Sequence, residues 1–592
     1  MKEIVTIQVG SYANFVGSHF WNFQDELLGL ADSPESDQTF KSHNLNMDIL
    51  YRTGETQQGI VTYTPRLVSV DIQGSLGSVS SRGTLYNDVP DTSVGALTWT
   101  GHVTTQTSQP LKKNLFLQSL YVEENKNEGT LRGGNSGTSD RQSEVQDKDI
   151  VESLENEVQY WTDYSKVHYH PQSLYELSGL WTDIRDFNNY GIGREAFLGV
   201  QHAEEINEKL RFFVEECDRP QGIQFIIDDS GGFSGVGGEF LEKIADEYTN
   251  IPVLLYSVRS PVSCLESQSL KMRISRKLHD AVSFSKLSAF CKLIVPVGLP
   301  SLSTSRTSKY LRVEDQKPYH TSAVYASAIH SISLPFRMEP LGPSAQLSYT
   351  CGAMDVNELV RMLAVQARQN MVTILDVAMP APALTGFQGQ QSLLENLQPL
   401  TPETAEDVED LHALESMTVH GVFGSGDNDV ALLILGTSFQ QDICSKRASV
   451  SEIKDAVEAA CAKAVERPRF SHLSIAQCPL PIPLPFPSIF NNLVGQNGQL
   501  LDTPISNCAS KGSLDVHSVP MAARLRSTNA ILPFLENRLG NLRKFGIARG
   551  ALGTDLLGNW GFTKDEIEEM GEMLSSMVNT LNPVSHESSD SD

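Results

Sequence analysis

The chain has 592 residues, and its 72 acidic residues against 46 basic ones leave a formal net charge of −26. That excess excludes a general nucleic-acid binder, and it gives no attraction to anionic lipid headgroups short of a local basic patch. Apolar content of 40% and charged content of 20% are globular values, and the length asks for several domains.

In chain order, a strand from Ile4 to Val9 runs into a turn at Gly10 and a helix from about Asn14 to Leu28. A second apolar run, Leu67 to Val70, ends in Asp71-Ile72-Gln73-Gly74-Ser75. Residues 123–148 hold almost no apolar side chains, cannot bury enough surface to offset their ordering entropy, and read as a disordered insertion. The central stretch, Gln221 to Tyr248, opens with the apolar run Ile223 to Ile227, then carries glycines at 231, 232, 235, 237 and 238. Phe240, Leu241, Ile244 and Tyr248 follow at helical spacing. Strand, glycine turn and helix can present backbone N–H groups and a helix N-terminus to a phosphate. The same glycines can equally serve a tight turn alone. Neither G-x-G-x-x-G nor G-x-x-x-x-G-K-[ST] is present in its usual spacing.

Farther on, Met417 to Phe423 and Asp429 to Gly436 read as paired strands around a GSGDN turn. Val450 to Val465 reads as an amphipathic helix, and His472 to Gln477 as a strand. The run from Pro479 to Pro487 reads as an extended internal connector. Two helices are expected at about Ser527 to Ile547 and Lys564 to Leu581, then a disordered acidic tail over 583–592. Eight scattered cysteines without C-x-x-C read as reduced thiols. No apolar run of about 18 residues offers a membrane span, so any membrane association is expected to be peripheral.

Several stretches resemble the tubulin superfamily, in the right order. MKEIVTIQVGSYANFVGSHFW is similar to a tubulin opening, with Gly10, Asn14, Gly17, Phe20 and Trp21 in place. YTPRLVSVDIQGSLGSV retains Pro65, Arg66, Asp71 and Gly74, and the central loop resembles G-G-G-T-G-S-G. DYSKVHYHPQSLYEL, YHTSAVYASAIHSIS and LRSTNAILPFLENRL resemble the third loop, the central helix and the penultimate helix. Within the superfamily the chain resembles the Misato family, which is linked to mitochondrial distribution and morphology. The resemblance implies an α/β fold: a Rossmann-like GTPase domain over 1–340, a smaller α/β domain over 341–525, and C-terminal helices over 526–582. It implies GTP or GDP as cofactor, held by Gly10, Ser11, Asn14, Asp71, Gly74, Gly231, Gly232, Ser234 and Gly235.

Every nucleotide loop departs from the family pattern. Gln73 stands where tubulins carry an acid near magnesium, so metal binding should weaken. Aligned without gaps, the phosphate-contacting threonine is Phe233, and a one-residue slide brings Ser234 there. Asp163, Asp228 and Asp229 add negative charge near the phosphates. Asp355 and Glu358 are out of step with the N-x-D-x-x-E pattern that positions hydrolytic water. No catalytic residue and no metal ligand is therefore assigned. The expected function is a non-enzymatic regulator of mitochondrial distribution, morphology and fusion, cytoplasmic with a pool at the mitochondrial outer membrane. Its expected partners are outer-face or tubulin-related cytoskeletal proteins, with no nucleic acid. The alternative is an active, polymer-forming GTPase in microtubule or spindle organisation.

Overall fold

The computed structural model describes residues 2–582 apart from 42–43, 56–58, 60, 81–112, 123–145, 180, 182–185, 200, 265–268, 340–349, 366–370, 385–392, 407, 409, 411, 425–445, 464–467, 502, 505–509 and 549–550. The strands of the N-terminal half are β1 (Ile4–Val9), β2 (Tyr51–Glu55), β3 (Val61–Pro65), β4 (Leu67–Ile72), β5 (Leu174–Leu177), β6 (Gly222–Asp228), β7 (Val253–Val258) and β8 (Leu293–Val297). Its helices are α1 (Ser11–Asp32), α2 (Asp147–Glu157), α3 (Tyr190–Leu198), α4 (His202–Glu215), α5 (Phe233–Glu247), α6 (Leu270–Phe290) and α7 (Pro318–Ser333). Six strands form one sheet in the order β5-β4-β1-β6-β7-β8, with every pairing parallel. Each residue of β1, β6 and β7 is buried. Such strands are covered on both faces, which is why they read as unbroken apolar runs.

On one face lie α1 and α7, with Phe20, Trp21, Phe23, Tyr325 and Ile329 in the core. On the other lie α3 to α6, contributing Phe197, Leu210, Phe240 and Leu287. α1 runs from Ser11 to Asp32, longer at both ends than the sequence suggested. Residues 123–145 of the expected insertion fall outside the described residues, whereas Asp147 and Lys148 at its end begin α2.

The second half adds β9 (Thr350–Cys351), α8 (Val356–Val360), β10 (Ile374–Ala378), β11 (Gln398–Pro399), β12 (Leu414–His420), α9 (Val450–Lys463), β13 (Phe470–Ala476), β14 (Leu480–Pro481), β15 (Ser518–Val519) and β16 (Met521–Ser527). Its main sheet is mixed, in the order β11-β10-β16-β12-β13-β9. β12 lies between β16, antiparallel, and β13, parallel. The expected hairpin partner, Asp429 to Gly436, falls outside the described residues.

β16 was not foreseen. Its alternation of Arg524 and Arg526 with small and apolar residues is a period-two pattern whose arginines look exposed on paper. In the sheet they meet a buried acid. Arg526 Nε donates to Asp376 Oδ2 at 2.7 Å, and Arg524 donates to Asp376 and to Glu415. Burial raises the Asp376 pKa, but the two guanidiniums outweigh it and hold the carboxyl below the usual range.

α7 ties the two sheets together, and every residue from Tyr319 to Ser333 is buried. Its many alanines and serines let α1 approach on one side and β12 and β16 on the other. The proline run beneath it is an internal connector: Tyr319 donates to the Pro485 carbonyl, and Phe486 packs against Phe23. After β16 come α10 (Leu532–Asn541), α11 (Ala551–Asn559) and α12 (Lys564–Leu581), where two helices were expected. All three return to pack on α6 of the first sheet. The acidic tail, 583–592, falls outside the described residues.

Candidate functional site

The carboxyl ends of β1, β4 and β6 and the starts of α1 and α5 border a cleft of about 970 Å³. It sits beside the central strand from which the chain winds outward in both directions, where open α/β sheets take their ligands. Ser11, Tyr12, Gln73, Gly74, Asp228, Ser230, Gly231 and Phe233 line the strand side. Glu155, Tyr160, Trp161, Lys317 and Tyr319 line the opposite side.

Of the nine residues expected to hold a nucleotide, Ser11, Gly74 and Gly231 line the cleft. Ser11 donates to Asp71 at 2.7 Å, and the Gly74 N–H donates to Glu176. Asn14 is buried among Asp71, Ser69 and the Val70 carbonyl, so it braces α1 on β4. The N–H of Gly10 donates to Val70, and that of Gly232 to Phe187. The N–H of Gly235 is spent on the Gly232 carbonyl. Ser234 is turned from the cleft; its hydroxyl donates to the Gly231 carbonyl at 2.8 Å and lies 3.3 Å from His279 Nε2. The ungapped register is the one the fold adopts, with Phe233 at the cleft and its ring edge-on to Phe187 at 5.0 Å.

The glycines of the central turn answer to packing. A Cβ on Gly193 of α3 would fall 1.6 Å from the Gly232 carbonyl, and one on Gly235 would fall 2.3 Å from the Tyr190 carbonyl. α3 and α5 therefore cross backbone on backbone. Gly193 is the sequence sign of this crossing, whereas Gly191 lies against the backbone of Trp560.

Carboxylates of the chain itself occupy the phosphate end. Asp228, 4% exposed, accepts from the Ser230 N–H and hydroxyl, and from the Tyr12 N–H near the start of α1 at 3.4 Å. Burial pushes its pKa up to about 6; the Ser230 donors lower it in part, and neighbouring Asp229 raises it. Asp71, also buried, accepts from Ser11, Asn14 and its neighbour's N–H, and burial likewise pushes it up to about 6. Asp229 is turned aside to Arg259 and Ser257. Asp163 does not face the cleft as expected, because its carboxylate caps the N–H groups of Gln159 and Tyr160.

The far end is equally committed. Tyr319 is 4% exposed; it stacks on His19 at 5.4 Å and tilts against Tyr164 at 4.9 Å. Lys317, the cation among the lining residues, lies 3.0 Å from Glu314 and 3.8 Å from Glu155. Burial opposes ionisation of Glu155, yet its bond from His320 and the N–H of Ser488 hold its pKa below the usual value. Tyr12 buries its ring and donates to Thr321. Among the described residues no cluster of His, Cys, Asp or Glu could hold a metal ion, and Gln73 lines the cleft where a metal-side acid would be needed.

Asp355 and Glu358 form a closed capping box at the start of α8, at 2.8 and 2.9 Å, with Lys2 2.7 Å from Asp355. GTP with magnesium does not fit these residues: Asp228 holds the donors at the anion end, Lys317 is paired with Glu314 and Glu155, and Gln73 stands where a metal-side acid would be needed.

The parallel sheet, the buried connecting helix and the mixed second sheet define a tubulin-like protein. Residues 151–338 match the model of the tubulin domain, and residues 2–122 match the Misato Segment II tubulin-like domain. Mouse protein misato homolog 1 is 28% identical over 586 residues, covering 96% of each chain. The human protein of that name is 32% identical over 351 residues, 57% of this chain and 60% of the relative. Protein DML1 of Gibberella zeae is 28% identical over 386 residues, 64% of this chain and 68% of the relative. The chain belongs to the Misato/DML1 family of tubulin-like proteins.

Proposed function

We propose that this protein is a non-enzymatic, tubulin-like regulator of mitochondrial distribution, morphology and fusion, cytoplasmic with a pool at the mitochondrial outer face. It would act through outer-face or tubulin-related cytoskeletal proteins. One observation carries the non-enzymatic part: Asp228 sits in the anion seat at the starts of α1 and α5, hydrogen-bonded to Ser230 and Tyr12. A polyphosphate would have to displace a buried carboxylate and then lie beside it. The hydrolytic loop points the same way, because Asp355 and Glu358 spend their side chains on each other's N–H groups. The mitochondrial part rests on membership of the family. No helix among the described residues is long and apolar enough to cross a membrane, in keeping with attachment through partners.

Phosphate release from GTP, measured over a wide range of protein concentration, tests the reading. Each missing charged contact removes about 2–4 kcal/mol of transition-state stabilisation, so turnover should stay near background and rise little with concentration. A steep, concentration-dependent rate would establish the polymerising GTPase instead. Protease added to intact mitochondria should destroy the attached pool, and a protected pool would refute the outer-face placement.

A further inference from the structure

The cleft remains open although both ends of a nucleotide seat are filled, and its walls are mainly aromatic and aliphatic: Tyr12, Phe15, Tyr160, Phe187, Phe233 and Val262 line it. Three lining side chains carry a formal charge, namely Glu155, Lys317 and Asp228. Glu155 and Lys317 belong to one network with His320 and Glu314. Asp228 is held differently. Its Oδ1 accepts two bonds from Ser230, whereas its Oδ2 accepts one long contact from Tyr12 at 3.4 Å, leaving that oxygen with acceptor capacity. The lining thus sums to one negative charge, with an under-used carboxylate oxygen among apolar walls.

We propose that Asp228 has turned this cleft from a nucleoside-phosphate seat into a site for an ammonium group carried on an apolar body. The cation lies at Asp228 Oδ2 and the body lies against Phe187 and Phe233. A buried carboxylate at low local dielectric favours a compact cation and repels an anion, and aromatic walls accept both the body and the charge. This deepens the reading of the cleft as no longer a GTPase site and rests on it. The ammonium comes either from a free amine or from a lysine side chain on a peptide.

The test is calorimetric titration of the full chain at pH 7.5 with 2-phenylethylamine, its uncharged counterpart 2-phenylethanol, a blocked Phe-Lys-Phe tripeptide, and GTP with magnesium. The amine should bind at least about tenfold more tightly than the alcohol. The tripeptide binding more tightly than the amine identifies a peptide source, and the reverse identifies a free amine. Asp228→Asn should erase the preference for the amine and raise affinity for GTP. Equal binding of amine and alcohol, or no binding of either, overturns the proposal while leaving the non-enzymatic reading intact. Tight GTP binding by the unaltered chain overturns both. The amine–alcohol comparison needs no variant, so it decides the matter even if Asp228→Asn does not fold.

Discussion

Two turns whose sequences resemble the phosphate and water loops of a tubulin-like GTPase are built in opposite ways. At the β6–α5 turn the backbone keeps its glycines and α5 begins without a side-chain cap, while Asp228 reaches in from the end of the strand. At the turn before α8, Gly352 keeps a positive φ, and Asp355 and Glu358 cap the helix by their own side chains. The first turn keeps its form because α3 crosses there at backbone contact, which any side chain at Gly193 or Gly235 would prevent. At the second the close approach is made by Gly352 to the Leu473 carbonyl of β13, while the acids serve the local helix. A glycine signature can thus be required by a helix crossing alone.

Substitutions can break this comparison. The largest effect is expected from Gly235→Val, whose side chain would meet the Tyr190 carbonyl and the Arg194 N–H. It should cost more than about 3 kcal/mol in urea unfolding, with or without nucleotide. A variant of normal stability would return the glycine to a ligand role.

Asp228→Asn comes next. The Asp71 and Asp228 carboxyls, raised from 3.8 to about 6, hold protons more tightly folded than unfolded. Their contribution to stability is fully present below about pH 3.8 and is lost as pH rises through about 6. Asp228→Asn should therefore raise the free energy of unfolding at pH 7.5 by on the order of 1–3 kcal/mol, and much less at pH 4. Equal gains at both pH values would show that charge is not the cause.

Asp355→Ala has the smallest expected effect, about 1 kcal/mol from loss of the helix cap. GTP turnover should not change, and a further fall in turnover would give the carboxylate a part in chemistry.

Much of the first sheet was legible because doubly covered parallel strands announce themselves as apolar runs, as in IVTIQV and GIQFIID. The departures at Gln73 and Phe233 were legible too, since a lost charge or an added ring shows at a single position. Three features were not. β16 hides its half-buried, paired arginines behind a pattern that reads as exposed until Asp376 is placed opposite. Asp163 turns into its own loop, which only the backbone of residues 159–163 reveals. The donors expected at Gly10, Gly232 and Gly235 are spent on carbonyls brought close by the fold, and residue type does not encode that expenditure.

The return of α10 to α12 onto α6 bears on how the molecule is made. Phe534, Leu557, Phe562, Ile567, Leu574 and Leu581 complete the core on one face of the first sheet. β16, which sits in the middle of the second sheet, lies only a few residues before them. Until the segment from β16 onward has been made, the earlier part of the chain carries an uncovered apolar face and a sheet lacking a central strand. Folding to completion therefore waits for that segment, and until then the chain is exposed to aggregation. Loss of α12 would then act as a failure of maturation rather than as a local defect.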